Sequence, residues 1–169
     1  MGPKRLQWFY ARLNKRGIKI KSLQIQFSLL SGDLKRYLKI KELCNTLNIE
    51  LLAYSPLAFG VLAIAPQQTV KPSTFARQTI FKSLVPSSQE IRSKLNQIAL
   101  KRRSSQAQVA LNWCRSHGAM PIPGIRHPLQ AKDALNALKW NLSDEEKEEL
   151  DYLSLNCKNK MPQNPFNSE

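Results

Sequence analysis

Acidic residues are scarce in this sequence: 12 Asp and Glu stand against 26 Lys and Arg, a formal net charge of +14 over 169 residues. Such an excess attracts polyanions and repels itself, so nucleic acid has to be weighed as a partner. Most of the basic residues are spread over expected helix faces and loops, with one dense stretch from Lys4 to Lys21. A scattered excess reads as a solvated surface, which disfavours nucleic acid. Cysteine is sparse too. Cys44, Cys114 and Cys157 are far apart, odd in number and without C-x-x-C spacing. That argues against a disulfide framework or a cysteine metal site and fits a reduced, cytoplasmic location. No apolar run approaches the roughly 18 residues of a membrane span, and no apolar h-region marks a signal peptide. What remains is a chain with 42% hydrophobic residues, enough for one domain with a single core.

The apolar residues fall into alternating patterns. Leu6, Phe9, Tyr10 and Leu13 keep helical spacing, and Gly17 follows where a left-handed helix end is expected. Over residues 22–30 the period becomes two, with Leu23, Ile25, Phe27 and Leu29 on one face and Gln24, Gln26 and Ser28 on the other. A second helical pattern over 33–47, with Asp33 as its N-cap, leads to a nearly continuous apolar strand at 49–54. Residues 57–86, with prolines at 66, 72 and 86, read as a long irregular loop. Beyond it come a helix around Ile91, Leu95 and Ile98 and the basic run 101–103. Capping boxes start further helices at Ser105 with Gln108 and at Ser143 with Glu146. A short strand at 119–122 precedes Pro123-Gly124 and a helix starting near Pro128. Residues 1–155 form the domain, and the polar stretch 156–169 reads as a disordered tail.

Strands alternating with helices define an α/β chain, either doubly wound or a (β/α)8 barrel. In both, ligands sit at the C-terminal ends of the parallel strands. That points to Gln24, to Tyr54-Ser55-Pro56 and to Pro123-Gly124, where a helix N-terminus offers an anion site. On the residues alone, Tyr54 also fits a core aromatic and Arg126 a solvated loop cation. His117 reads as a helix C-cap and His127 as a loop residue.

The run Ala53-Tyr54-Ser55-Pro56-Leu57-Ala58-Phe59-Gly60 resembles the A-Y-S-P-L-A-x-G segment of aldo/keto reductases. In the same order, residues 23–30 resemble that family's sixth barrel strand, residues 107–113 a late helix, and residues 121–126 the eighth strand with its phosphate loop. The resemblance implies a partial (β/α)8 TIM barrel of the NADP-dependent oxidoreductase type, strands six to eight. It implies that Tyr54 stacks on the nicotinamide and Gln24 bonds its carboxamide, while Ser55, Pro56, Leu57 and Gly60 line the pyrophosphate. Gly124, Ile125 and Arg126 would form the loop at the 2′-phosphate, a good match for a guanidinium fork. Gln130 and Asp133 would reach the phosphate and the adenine amine.

Against the family pattern, the usual Gly-Lys after strand seven is replaced by apolar residues at 61–65, and Ala134 stands where many members have Asn. The early strands that carry the catalytic Asp, Tyr, Lys and His have no counterpart here. The expectation is therefore an NADP(H)-binding C-terminal part of an aldehyde or ketone reductase, inactive alone and completed by a chain supplying strands one to five. The alternatives are a basic polyanion-binding module and a non-functional truncated remnant.

Overall fold

The computed structural model describes residues 2–31, 34–70, 72 and 74–162. Helix α1 (Pro3–Asn14) begins with Pro at its first turn, where the missing N–H costs nothing. It leads through Gly17, at φ +71°, to strand β1 (Ser22–Gln26). Helix α2 (Leu34–Thr46) and strand β2 (Glu50–Tyr54) complete the first βαβ unit. The N-cap expected at Asp33 lies outside the described residues.

The described residues of the stretch 57–86 are more regular than its prolines suggest. They contain a 3-10 segment (Ala58–Ala63) and helix α3 (Phe75–Ser87). Ile80, Phe81, Leu84 and Val85 supply α3 with an apolar stripe, and Phe81 and Leu84 are buried. Pro86, in the last turn of α3, has no N–H to give to Lys82 O, and one residue later the helix ends; the chain then passes through Ser88 into α4 (Gln89–Arg102). Arg103 ends α4 in the left-handed region, at φ +50°.

Ser105 caps α5 (Gln106–Ser116), its Oγ accepting from the Gln108 N–H. The reciprocal half of that capping box is missing, because the Gln108 side chain binds elsewhere. Strand β3 (Met120–Ile122) and helix α6 (Pro128–Asn136) follow, and His127, expected in a loop, is the α6 N-cap. Ser143 and Glu146 form a complete capping box on α7 (Asp144–Asn156).

All three strands are parallel in the order β1-β2-β3. Register pairs Gln24 with Leu52, Gln26 with Tyr54, and Tyr54 with Ile122. Side chains alternate across a sheet, so Gln24, Gln26, Leu52, Tyr54, Met120 and Ile122 share one face. The opposite face carries Leu51 and Ala53, both buried beneath the helices. Met120 and Ile122 remain about half exposed. The expected strand over 22–30 ends at Gln26, with one more bond to β2 from the Phe27 N–H to Tyr54 O at 3.3 Å, after which Leu29 and Leu30 enter the core together.

Behind the sheet, Val109, Ala110, Trp113 and Cys114 of α5 pack against Leu95 and Ile98 of α4 and Leu150 of α7. Phe27 stacks on Tyr37 at 3.7 Å and on Trp113 at 4.8 Å. Of the stretch 156–169 expected to be a disordered tail, residues 156–162 are described, and Asn156 ends α7. Met161 is buried, its N–H donating to Leu30 O at 2.7 Å, and Cys157 is buried beside it in the core. Among the described residues no helix is long and apolar enough to cross a membrane.

Candidate cofactor-binding site

Immediately after β2 the backbone turns sharply. Ser55, Ala58 and Phe59 all adopt left-handed conformations, at φ 54°, 48° and 59°, and Gly60 stands at φ +96°. Such values are uncommon for residues with a Cβ, and their clustering marks a turn held in shape by its surroundings. Buried Pro56, Val61 and Leu62 provide that hold. A side chain at Gly60 would be strained by its φ, and its Cβ would lie 3.8 Å from the Arg77 guanidinium.

This turn forms one wall of a cleft of about 650 Å3. The loop from β3 into α6 forms another. Ser55, Pro56, Leu57, Gly60, Gly124, Ile125, Arg126, Gln130 and Asp133 all line it, so nine of the residues proposed from sequence converge on one space. Gln24 and Tyr54 are not in its lining. They occupy the shared face of the sheet, two positions out of register with each other.

The β3–α6 loop is held by local bonds. The Arg126 N–H donates to Gln130 Oε1 at 2.8 Å, and the Leu129 N–H to His127 Nδ1 at 3.3 Å. The exposed Arg126 side chain makes no hydrogen bond or ion pair among the described residues, leaving its five donors available. Gln130 is thus a brace for the loop.

Asp133 is more deeply committed. Its carboxylate accepts from Ser105 Oγ and from Gln108 Nε2, both at 2.6 Å, while Gln108 Oε1 accepts from Trp140 Nε1 at 3.1 Å. The carboxylate expected to meet an adenine amine lines the cleft and also ties α6 to the start of α5.

Arg77 is not legible from sequence, because the prolines around it hide its helix. It lines the cleft, donates from Nη2 to Phe59 O at 2.8 Å and lies 5.4 Å over the Phe81 ring. Nor does the sequence mark the tail as part of this region. The Gln26 side chain donates to Pro162 O at 3.3 Å, which brings residues 161–162 beside the end of β1.

Away from the cleft, the Asp151 carboxylate accepts from Trp113 Nε1 at 2.7 Å and lies 2.8 Å from His117 Nε2. Burial holds the His117 imidazole below its ordinary pKa; the bond to Asp151 opposes this without overcoming it, and the charges of Lys147 and Lys41 add to it. Tyr37 donates to His117 O at 2.7 Å, and burial raises its phenol.

A parallel sheet backed by helices, with strained turns and an open cleft where the strands end, is part of a (β/α) barrel of the ligand-binding kind. The profile of the aldo/keto reductase family matches residues 2–154. The chain belongs to this family of oxidoreductases. It is similar to a chloroplastic pyridoxal reductase of Arabidopsis thaliana, 38% identical over 165 residues that are 98% of this chain and 45% of that protein. It is also similar to a probable pyridoxal reductase of Schizosaccharomyces pombe, 29% identical over 147 residues, 78% of this chain and 43% of that one. The chain therefore spans less than half the length of these relatives. In fold it resembles a glycerol dehydrogenase from Gluconobacter oxydans, with a TM-score of 0.68, 21% identity, and coverage of 100% of this chain and 51% of the other.

Proposed function

We propose that the cleft binds NADP(H) and that this chain is the cofactor-binding part of a reductase acting on aldehydes or ketones. The observation that carries the reading is the convergence of the Ser55–Gly60 turn, the 124–126 loop and two guanidinium groups on one cleft of about 650 Å3. That volume lies within the range of cofactor sites, roughly 300–1,000 Å3. The donor set also fits a phosphate-rich ligand. Arg126 has its fork available, Arg77 stands beside Phe59, and Gly124 has open space where a Cβ would be.

In this reading Arg126 takes the 2′-phosphate. Ser55, Leu57, Gly60 and Arg77 hold the pyrophosphate. Gln24 and Tyr54, on one face of the sheet, receive the nicotinamide. The bound cofactor supplies hydride for the carbonyl carbon. Asp133 holds α6 in place and faces the adenine amine from the cleft wall.

Reduction also requires a proton at the carbonyl oxygen. Tyr37 is buried with its hydroxyl committed to His117 O, and neither Tyr10 nor Tyr152 lines the cleft. The family resemblance puts the catalytic Asp, Tyr, Lys and His on the early barrel strands, so the proton donor is assigned to strands one to five, which a partner would supply. Pyridoxal, for which two relatives are named, is the aldehyde proposed for the assembled enzyme.

The test is a titration of NADPH into the purified chain followed by fluorescence, with and without a fragment carrying the family's first five strands. Binding lost in Arg126→Ala supports the reading. Absence of binding in both settings rejects it.

A further inference from the structure

The basic residues are less scattered than their sequence positions suggest. No Asp or Glu occurs before Asp33, whereas Lys4, Arg5, Arg12, Lys15, Arg16, Lys19 and Lys21 do, and all seven are exposed. Among the described residues none of these seven side chains takes part in a salt bridge. The carboxylates are concentrated elsewhere, on α7, where Glu146 engages Lys101 and Arg102 and Glu149 engages Lys94. Lys94, Lys101 and Arg102 of α4 are thereby paired with carboxylates, and the cations of α1 and the following turn are not.

On α1, Lys4, Trp8, Arg12 and Lys15 recur at intervals of four, four and three, which places them in one stripe along the helix. Trp8 is 51% exposed, a large ring left at the surface, and the Arg12 guanidinium lies 4.5 Å from its centroid. Buried Leu6 takes the opposite side of the helix into the core. With that side committed, α1 has no broad apolar face to lay into a bilayer. What it offers is a row of cations around one accessible aromatic.

We propose that the surface formed by α1 and the turn at residues 15–21 binds single-stranded nucleic acid, the cations meeting phosphates and Trp8 stacking on a base. Cations tracking a backbone, with an aromatic for the bases, are the elements that such recognition uses. This function is separate from the cofactor cleft.

The experiment uses the full chain and a fluorescein-labelled oligouridylate, with anisotropy read between roughly 0.05 and 0.2 M salt. Engagement of five to seven cations gives a log–log salt slope of about −3.5 to −5. Arg5→Glu/Arg12→Glu/Lys15→Glu is expected to weaken binding more than tenfold, and Trp8→Ala roughly tenfold. Lys82→Glu/Lys158→Glu, at exposed positions elsewhere, should bind like the parent. Protection of Trp8 fluorescence from acrylamide by the oligonucleotide supplies a readout without substitution. The proposal is overturned by no binding at about 0.1 M salt, by unchanged affinity in Trp8→Ala, or by phosphatidylserine vesicles binding more tightly than the oligonucleotide.

Discussion

Ser105 Oγ donates to Asp133 Oδ2 at 2.6 Å while accepting from the Gln108 N–H, so one hydroxyl both caps α5 and ties α6 to it. Gln108 Nε2 completes the link on the other carboxylate oxygen. Asp133→Ala leaves both donors without their partner and is expected to cost about 1–3 kcal/mol of stability, read from the denaturant midpoint. Asp133→Asn, which keeps an acceptor, should lose less.

Arg126→Ala should weaken NADPH binding by roughly tenfold to a hundredfold, the scale of a lost charged hydrogen bond of about 1.5–3 kcal/mol. NADH lacks the 2′-phosphate, so its affinity should change little. Arg77→Ala should weaken both cofactors alike, because its proposed partner is the pyrophosphate common to them. Parallel titrations distinguish the two arginines; equal losses for NADPH and NADH in Arg126→Ala would remove the 2′-phosphate assignment.

The pH dependence of stability should carry the mark of His117. Its folded-state pKa is held below the unfolded value of about 6.5, so between the two values the unfolded chain binds more protons. Stability is then complete above the unfolded pKa and declines as pH falls below it. Urea midpoints measured from pH 8 to pH 5 should show this decline, and His117→Gln should flatten it. A decline of the same slope in the variant would assign it to other groups.

Leu150 is fully buried where α7 joins the core. Leu150→Ala is expected to lower stability by about 2–5 kcal/mol, since the helices around it can close the cavity only in part. Urea denaturation reads the loss. A change below 1 kcal/mol would show that α7 contributes little to the core.

Much of the fold was legible because each element carries its own period. The alternation of Leu23 and Ile25 with Gln24 and Gln26 marked both strand and face, and Ser143 with Glu146 marked a helix start that the structure reproduces in full. Helix α3 was hidden because Pro72 shortly precedes it and Pro86 lies within its last turn, and with it went Arg77. The order of residues 157–162 rests on single contacts such as Met161 with Leu30, and an isolated apolar residue has no period to read. The convergence of the cleft residues followed from motif order. The engagement of Asp133 did not, because its partners lie 25 and 28 positions away and meet it only through the crossing of two helices.

The turn after β2 has a consequence for how its wall of the cleft behaves. Ser55, Ala58 and Phe59 are held in left-handed conformations while Val61 and Leu62 just beyond them are fully buried. A segment anchored in this way has no relaxed alternative available without withdrawing its own side chains from the interior. It therefore behaves as a stiff rim whose shape is set before any ligand arrives, and whatever binds there must conform to it.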